Sequence, residues 1–370
     1  MLRTLIVGLG HAGLDLHWKV LRRLRESAGD RDLFASGPVY GFDLREHTAP
    51  APGDALTPVR SLAEAARLLD PAETVVHLCT PPMARLDLLH SLADLGFRRI
   101  LVEKPLATDL ASAEAIAELR RSAGLDLTVV AHWLDSALTA QCTELIRSGR
   151  LGELRAISFI QRKPRLSRTI MTHGHPTAFD AELPHSVGVS LRLAGDARLL
   201  DASWTDMQVG DQLVPRMGTA RLVARHENGA HTEIFSDLTS PVRERRVTFE
   251  LSGGRVVGHY PSSQDDDYAH LRLVVDRREL RSVFRDDSLA SFLRRVYRQY
   301  AEGLDSSAEF ALNMRVTTLL SEAKSWCLAR EERVGEQTEG VSGPRPGNGT
   351  GGRAHMVPLN GRGGGMERVV

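Results

Sequence analysis

Two hydrophobic rhythms alternate along the first third of the chain. Short apolar runs, Leu2–Val7, Val39–Phe42, Glu73–Cys79, Ile100–Val102 and Leu127–Ala131, are too brief for helices and read as strands. Between them lie segments with apolar positions at helical spacing. Leu14–Ala28 carries Leu16, Val20, Leu21 and Leu24 in this way, and Leu62–Leu69, Ala84–Leu95 and Ala111–Ala123 follow the same pattern. Ser61 is placed to cap Leu62–Leu69, and Gly96 to close the helix before it. Apolar strands separated by amphipathic helices predict an α/β, doubly wound parallel sheet through residue 133.

The pattern then changes. Ala137–Ser148 reads as a helix ended by Gly149 and Gly152, and Leu154–Gln161 as a strand. Lys163–Pro176 reads as a polar loop carrying Arg165, Arg168, His173 and His175, and Phe179–Leu193 contains a helix predicted to begin at Leu183. From Ala197 to about Phe284 the chain alternates like strands, with hairpin turns at Asn228-Gly229 and Gly253-Gly254. This predicts an α+β domain with a large, mostly antiparallel sheet. Leu289–Glu302 and Ala308–Ala329 are closing helices; the second aligns Leu312, Val316, Leu319, Leu320 and Ala323 on one face, which should pack back on the sheet. Past Glu331 glycine, proline, serine and asparagine replace apolar residues, which predicts a disordered tail. The expected division is a dinucleotide-binding domain at 1–133, a substrate-binding and oligomerisation domain at 134–330, and a tail at 331–370.

Composition narrows the function classes. The 370 residues are 42% hydrophobic with a formal net charge of zero, so no global field recruits nucleic acid or an anionic membrane. Cys79, Cys142 and Cys327 are far apart and form neither a disulfide framework nor a zinc motif. Leu5–Gly8 is too short for a secretory signal core and no apolar run spans a bilayer, so a cytoplasmic protein is expected. His173 and His175 lack the acids or cysteines that would complete a metal site, and Asp265-Asp266-Asp267 reads as a solvated loop.

The chemistry is concentrated at strand ends. Gly8-Leu9-Gly10-His11-Ala12-Gly13 follows the first strand and opens the first helix, the context a G-x-G-x-x-G needs to bind a pyrophosphate. Asp43 ends the second strand, where an acid accepts hydrogen bonds from the adenosine ribose and disfavours a 2′-phosphate. That selects NAD, while Arg45, two residues on, leaves NADP open. The Gly13–Asp43 interval exceeds the usual spacing of about 20 residues, so the first helix or the loop after it is extended. Thr80-Pro81-Pro82 fixes a rigid turn after the third predicted strand. Ile100–Val102 ends abruptly in Glu103-Lys104-Pro105, and Pro105 has no N–H to continue a ladder.

With these motifs in place the chain resembles the Gfo/Idh/MocA family of nicotinamide-dependent oxidoreductases. The likeness spans roughly residues 1–330 and rests on GLGHAG at 8–13, TPP at 80–82, EKPLA at 103–107 and LIRSGRLGELRAI at 145–157. It departs at Arg85, where the family has histidine, at His132-Trp133-Leu134-Asp135, and at Ala181, where an aspartate usually stands four residues before His185. Asp180 and Glu182 flank that gap. The resemblance implies Lys104 as catalytic base or proton relay, with a pKa lowered by burial and by the cofactor's positive ring. It also implies His185 as its assistant, a Glu103 that orients the loop, and a cis Lys104-Pro105 bond. Cofactor contacts would come from Gly8, Gly10, His11, Ala12, Gly13, Asp43, Arg45, Thr80, Pro81, Pro82, Glu103 and Lys104. Substrate contacts would come from Trp133, Arg165, Asp180, Glu182 and His185, with Arg162 and Arg168 adding charge suited to a phosphorylated or nucleotide-linked sugar. The implied activity is hydride transfer between NAD and a secondary hydroxyl, or its ketone, of a sugar, aminosugar, nucleotide sugar or cyclitol, in a homodimer or homotetramer. An NADPH-dependent imine reductase and a non-catalytic nucleotide sensor are the competing readings.

Overall fold

The computed structural model describes residues 1–45, 56–172, 174–263 and 266–339, so His173, Asp265 and residues 340–370 of the expected tail lie outside the described residues. The chain divides into the units Met1–Ala329 and Arg330–Val370, and the fold below is that of the first.

Six strands form a wholly parallel sheet: β1 (Arg3–Val7), β2 (Val39–Phe42), β3 (Leu56–Pro58), β4 (Thr74–Leu78), β5 (Arg99–Val102) and β6 (Asp126–Val129). Their order is β3-β2-β1-β4-β5-β6, which reverses between β1 and β4. Crevices at such a reversal, beyond the carboxyl ends of the strands, are where open α/β sheets bind ligands. The Rossmann-like expectation holds, and β3 is the strand the hydrophobic pattern did not signal.

Helices cover both faces. α1 (Lys19–Glu26) continues a π-helical segment, Ala12–Trp18, and is followed along the chain by α2 (Leu62–Leu68), α3 (Arg85–Asp94) and α4 (Leu110–Ser122). The extra length before Asp43 lies in the loop after α1, where Leu2 and Phe34 form a lone bridge and Phe34 packs on Tyr297, ring centroids 4.5 Å apart.

The second sheet follows α5 (Ala137–Arg147). It is built from β7 (Leu154–Arg162), β8 (Ala197–Trp204), β11 (Thr219–His226), β12 (His231–Asp237), β13 (Glu244–Leu251), β14 (Gly254–His259), β15 (Tyr268–Val275) and β16 (Arg278–Arg285) in the order β16-β15-β14-β13-β7-β12-β11-β8. Only β7 and β12 run parallel. β9 (Met207–Val209) and β10 (Gln212–Val214) form a separate hairpin. Two helices precede β8: α6 (Leu166–Thr172), inside the segment read as a polar loop, and α7 (Ala178–Ala194). α7 starts five residues earlier than expected and contains Pro184. It is buried on nearly every side, so packing against the sheet outweighs the hydrogen bond that Pro184 cannot make.

The chain then returns to the first sheet. α8 (Ser288–Glu302) buries Phe292, Leu293, Val296, Tyr297 and Tyr300 together with Ile6, Leu21 and Leu101. Each fully buried side chain of this size contributes roughly 1.5–3 kcal/mol. Tyr300 also donates to the carbonyl of Ile100 at 3.0 Å, just upstream of Glu103. α9 (Ser307–Glu339) packs Leu312, Val316, Leu319, Leu320 and Ala323 into the core of the second sheet, as the sequence pattern required. The helix continues to Glu339, beyond the change in composition at Glu331.

Candidate active site

The glycine loop is built by backbone demands. Gly8 has φ +95°, and a Cβ there would stand 2.9 Å from the carbonyl carbon of Cys79. A Cβ on Gly13 would lie 2.0 Å from the Gly8 carbonyl oxygen, so the helix can approach the strand only as glycine. Around Gly10 the nearest atom to such a Cβ is Nη2 of Arg45, at 3.6 Å, which leaves the loop open to an approaching group. The Asp43 carboxylate stands beside it, accepting from Leu9 N at 2.8 Å and from Arg45 N at 2.9 Å. His11 is exposed and pairs with Asp15, 2.7 Å away. An open, amide-lined loop, a helix start and a strand-end acid fit a dinucleotide.

Thr80-Pro81-Pro82 and the segment after β5 form the neighbouring rim. Arg85, fully buried, binds them together by donating to the carbonyls of Pro105, Leu106 and Thr80. This is what arginine does at the position where histidine was expected.

The Lys104-Pro105 bond is cis. Lys104 Nζ donates to the carbonyl oxygen of Ala181 at 2.7 Å, across the cleft on α7. Burial brings the ammonium down to about 8, against the opposing pull of Glu182 and Glu103.

Both carboxylate oxygens of Glu103 are engaged within the protein. Its Oε2 accepts from Lys104 N at 3.1 Å and its Oε1 meets His17 Nε2 at 3.0 Å. From there a buried chain runs on: His17 Nδ1 to His77 Nδ1 at 2.7 Å, His77 Nε2 to the Tyr297 hydroxyl at 2.9 Å, and that hydroxyl to Thr4 Oγ1 at 2.7 Å. Although burial opposes charge on His17, Cys79 and Glu103 raise it to about 10, whereas burial and the adjacent His17 hold His77 far below its ordinary value. Burial likewise opposes ionisation of Glu103, but the His17 contact and Lys104 bring it down to about 2. A doubly protonated His17 donating to Glu103 and to neutral His77 satisfies every member.

α7 supplies the opposite wall. His185 lies over Trp133, centroids 5.4 Å apart and planes 20° from parallel, and Trp133 stacks on Tyr260 at 4.1 Å. Trp133 is thus a buried support behind His185. His132 meets the His185 ring edge-on at 4.6 Å. Burial, with His132 and Lys104 nearby, keeps His185 neutral, and its shielded Nδ1 has no partner among the described residues.

The two acids flanking Ala181 diverge. Asp180 bonds Thr177 Oγ1 and Lys324 Nζ, both at 2.7 Å, which turns it to α9 and removes it from the expected substrate set. Glu182 pairs with Lys163 at 3.2 Å and is the leading charge acting on Lys104. Gln161, at an inward position of β7, donates to the Glu182 carbonyl and accepts from Ser186, fixing α7 to the sheet. Arg165 lies near Lys104 and Glu182, buried beside the cleft. Arg162 pairs instead with Glu244, on the second sheet.

The fold therefore gathers Lys104, Glu182, His185 and Arg165 beyond the strand ends, next to the glycine loop's rim. Sequence reasoning missed His17, His77, Tyr297, His132 and Gln161. Only Gln161 left a local trace, a polar residue continuing the inward alternation of Ile157 and Phe159. Among the described residues no cluster of side chains could hold a metal ion, and no helix is long and apolar enough to cross a membrane.

No family model and no curated protein matches this sequence. Solved structures do. A 3-ketoreductase, KijD10 from Actinomadura kijaniata, crystallised with NADP and TDP-benzene, aligns with TM-score 0.72 and 16% identity over 88% of this chain and 98% of that one. The UDP-N-acetylglucosamine 3-dehydrogenase GnnA from Acidithiobacillus ferrooxidans aligns at 0.68 and 16%, over 88% and 98%. A putative NADPH-dependent oxidoreductase from Desulfitobacterium hafniense aligns at 0.72 and 13%, over 89% and 96%. At these identities the likeness shows that the chain shares the two-sheet fold of these oxidoreductases.

Proposed function

We propose that this chain is an NAD(P)-dependent oxidoreductase that interconverts a secondary hydroxyl and a ketone on a carbohydrate-like substrate. Residues 1–133 would bind the dinucleotide and 134–330 the substrate. The observation that carries the reading is Lys104. It is a lysine at a strand's carboxyl end, lowered to about 8, beside a glycine loop and pointing at α7. The solved structures with this fold add support, one being by name a UDP-N-acetylglucosamine 3-dehydrogenase and another a 3-ketoreductase.

Gly8, Gly10, His11, Ala12 and Gly13 would hold the pyrophosphate, Asp43 and Arg45 the adenosine ribose, and Thr80, Pro81, Pro82 and Glu103 the wall beside the nicotinamide. When bound, the nicotinamide supplies or accepts a hydride. The protein's task is the accompanying proton. Lys104 takes it from the hydroxyl or returns it to the ketone oxygen, and a pKa near working pH suits both directions. Neutral His185 hydrogen-bonds the same oxygen. Glu182 offsets the burial of the lysine, and Glu103, locked by His17, fixes the lysine's backbone.

The test pairs cofactor binding with turnover. Fluorescence titration with NADH and NADPH should show binding, and a panel of ketosugars and their nucleotide-linked forms should show oxidation of the bound cofactor. Lys104→Met should lower kcat about 10²–10⁴-fold with cofactor affinity unchanged. Full turnover by that variant would remove the lysine from the mechanism; reduction of imines alone would move the enzyme to another class.

A further inference from the structure

Beside the Lys104 cleft, α6 and the residues following β10 enclose a cavity of about 310 Å³. That volume lies at the lower end of small-molecule sites. Arg165, Thr169, His175 and Arg216 stand on its wall. Arg165 is 6% exposed. Among the described residues its hydrogen bonds are those of the backbone, Arg165 N donating to the Leu238 carbonyl at 2.9 Å and its own carbonyl accepting from Thr169 N at 2.9 Å.

The side chains on this wall are unsatisfied. Arg165 Nε, Thr169 Oγ1 and His175 Nδ1 are each shielded from solvent without a hydrogen-bond partner among the described residues. Native interiors pair nearly all such groups, and leaving one unpaired costs about 1–3 kcal/mol. Three on one wall point to an absent partner with several acceptors.

Charge gives the sign of that partner. His175 is kept from protonation by burial, then by Lys104, Arg165 and Arg168. Arg216 adds a further cation, stacked over Trp204 at 5.0 Å. Glu182, the leading carboxylate acting on Arg165 and Arg168, is already engaged by Lys163.

We propose that this cavity is a phosphoryl subsite, in which Arg165, Thr169 and His175 receive a phosphate or diphosphate carried by the substrate. A tetrahedral oxyanion presents several acceptors to diverging donors and matches the guanidinium fork. The assignment of the anion to a substrate rests on the oxidoreductase reading above; the anion site itself does not. Arg165 is the cation common to Lys104 and His175, which sets the subsite beside the Lys104 cleft.

Calorimetry on the full chain, saturated with NADPH so that the glycine loop is filled, tests this with inorganic phosphate, pyrophosphate, uridine diphosphate and succinate as probes. A phosphoryl probe should bind one per chain, and Arg165→Met should weaken it at least about tenfold with NADPH affinity unchanged. The same variant should leave the Tm of the unliganded chain equal or higher, because the guanidinium it removes has no hydrogen bond to a protein group among the described residues. Phosphate against pyrophosphate and uridine diphosphate separates a sugar phosphate from a nucleotide-linked sugar. Equal binding in both proteins, binding of succinate alone, no phosphoryl binding, or a lowered Tm in Arg165→Met would overturn the subsite. Failure to bind NADPH would overturn the oxidoreductase reading instead, and the comparison of Arg165→Met with wild type would still judge the subsite.

Discussion

On the parallel-sheet side of Lys104, Glu103, His17, His77, Tyr297 and Thr4 pass hydrogen bonds from one to the next through the interior. Across the cleft, Arg165, Thr169 and His175 end in a cavity with shielded atoms that nothing described satisfies. Both regions bury polar groups at a cost. In the first the fold itself offsets that cost, so the network is finished before any ligand arrives and can hold the lysine's backbone in one place. In the second the cost is left standing, which is sensible only where a ligand removes it. Buried polarity thus separates a finished scaffold from the proposed subsite, on the two sides of Lys104.

The largest effect should come from breaking the finished side. His17→Phe leaves Glu103 buried without its cation, and removing one partner of a buried pair costs about 3–5 kcal/mol. Urea unfolding measures it; a loss no greater than that of Arg165→Met would erase the contrast between the two regions.

The next effect is in pH. The folded value of His17 is raised, so its stabilisation is complete below about 6.5 and is lost as pH rises through about 10. His77, His175 and His185 are depressed, so their contribution is present above about 6.5 and is lost as pH falls below it. Stability should therefore decline below about 6.5 and again as pH rises from there toward 8, above which the depressed Lys104 offsets the His17 loss. In His17→Phe the alkaline decline should flatten, and the acid limb should ease slightly as His77 loses its charged neighbour, as thermal melts from pH 5 to 10.5 would reveal; an unchanged alkaline limb would mean that His17 is neutral in the fold.

A smaller effect concerns the lysine. The apparent pKa in kcat/KM for the oxidative direction should lie near 8, with the rate rising through it, and Glu182→Gln should move it down by removing the leading stabilising charge. A profile that Glu182→Gln leaves in place would assign the titration to another group. The smallest effect is at the ribose end, where Arg45→Ala should shift preference from NADPH toward NADH by a few-fold, read from the two Kd values.

What could be read from sequence follows the same division between local and distant causes. The glycine loop, the strand ends at Asp43 and Glu103-Lys104, and most strands and helices were legible, because a Cβ clash or a hydrophobic period is written in neighbouring residues. β3 was not: three residues with one buried side chain carry too little pattern. The start of α7 was misplaced because Pro184 reads as a first-turn residue, while burial from Ala178 onward is a tertiary fact. The His17 network was invisible for a stricter reason. His17, His77 and Tyr297 are isolated polar letters in three separate elements, and only the β1–β4–β5 order and the return of α8 bring them to Glu103. Asp180 and Glu182 are equal neighbours of Ala181 on paper. Helix geometry sends one to α9 and the other toward the lysine.

The acceptor of the Lys104 ammonium belongs to the main chain of Ala181. An atom of the backbone is present whatever residue is encoded there, so mutation cannot delete it and a side-chain scan would score position 181 only for packing. Position 181 therefore needs no acid to hold the lysine, and a small apolar residue there suits the fully buried face of α7.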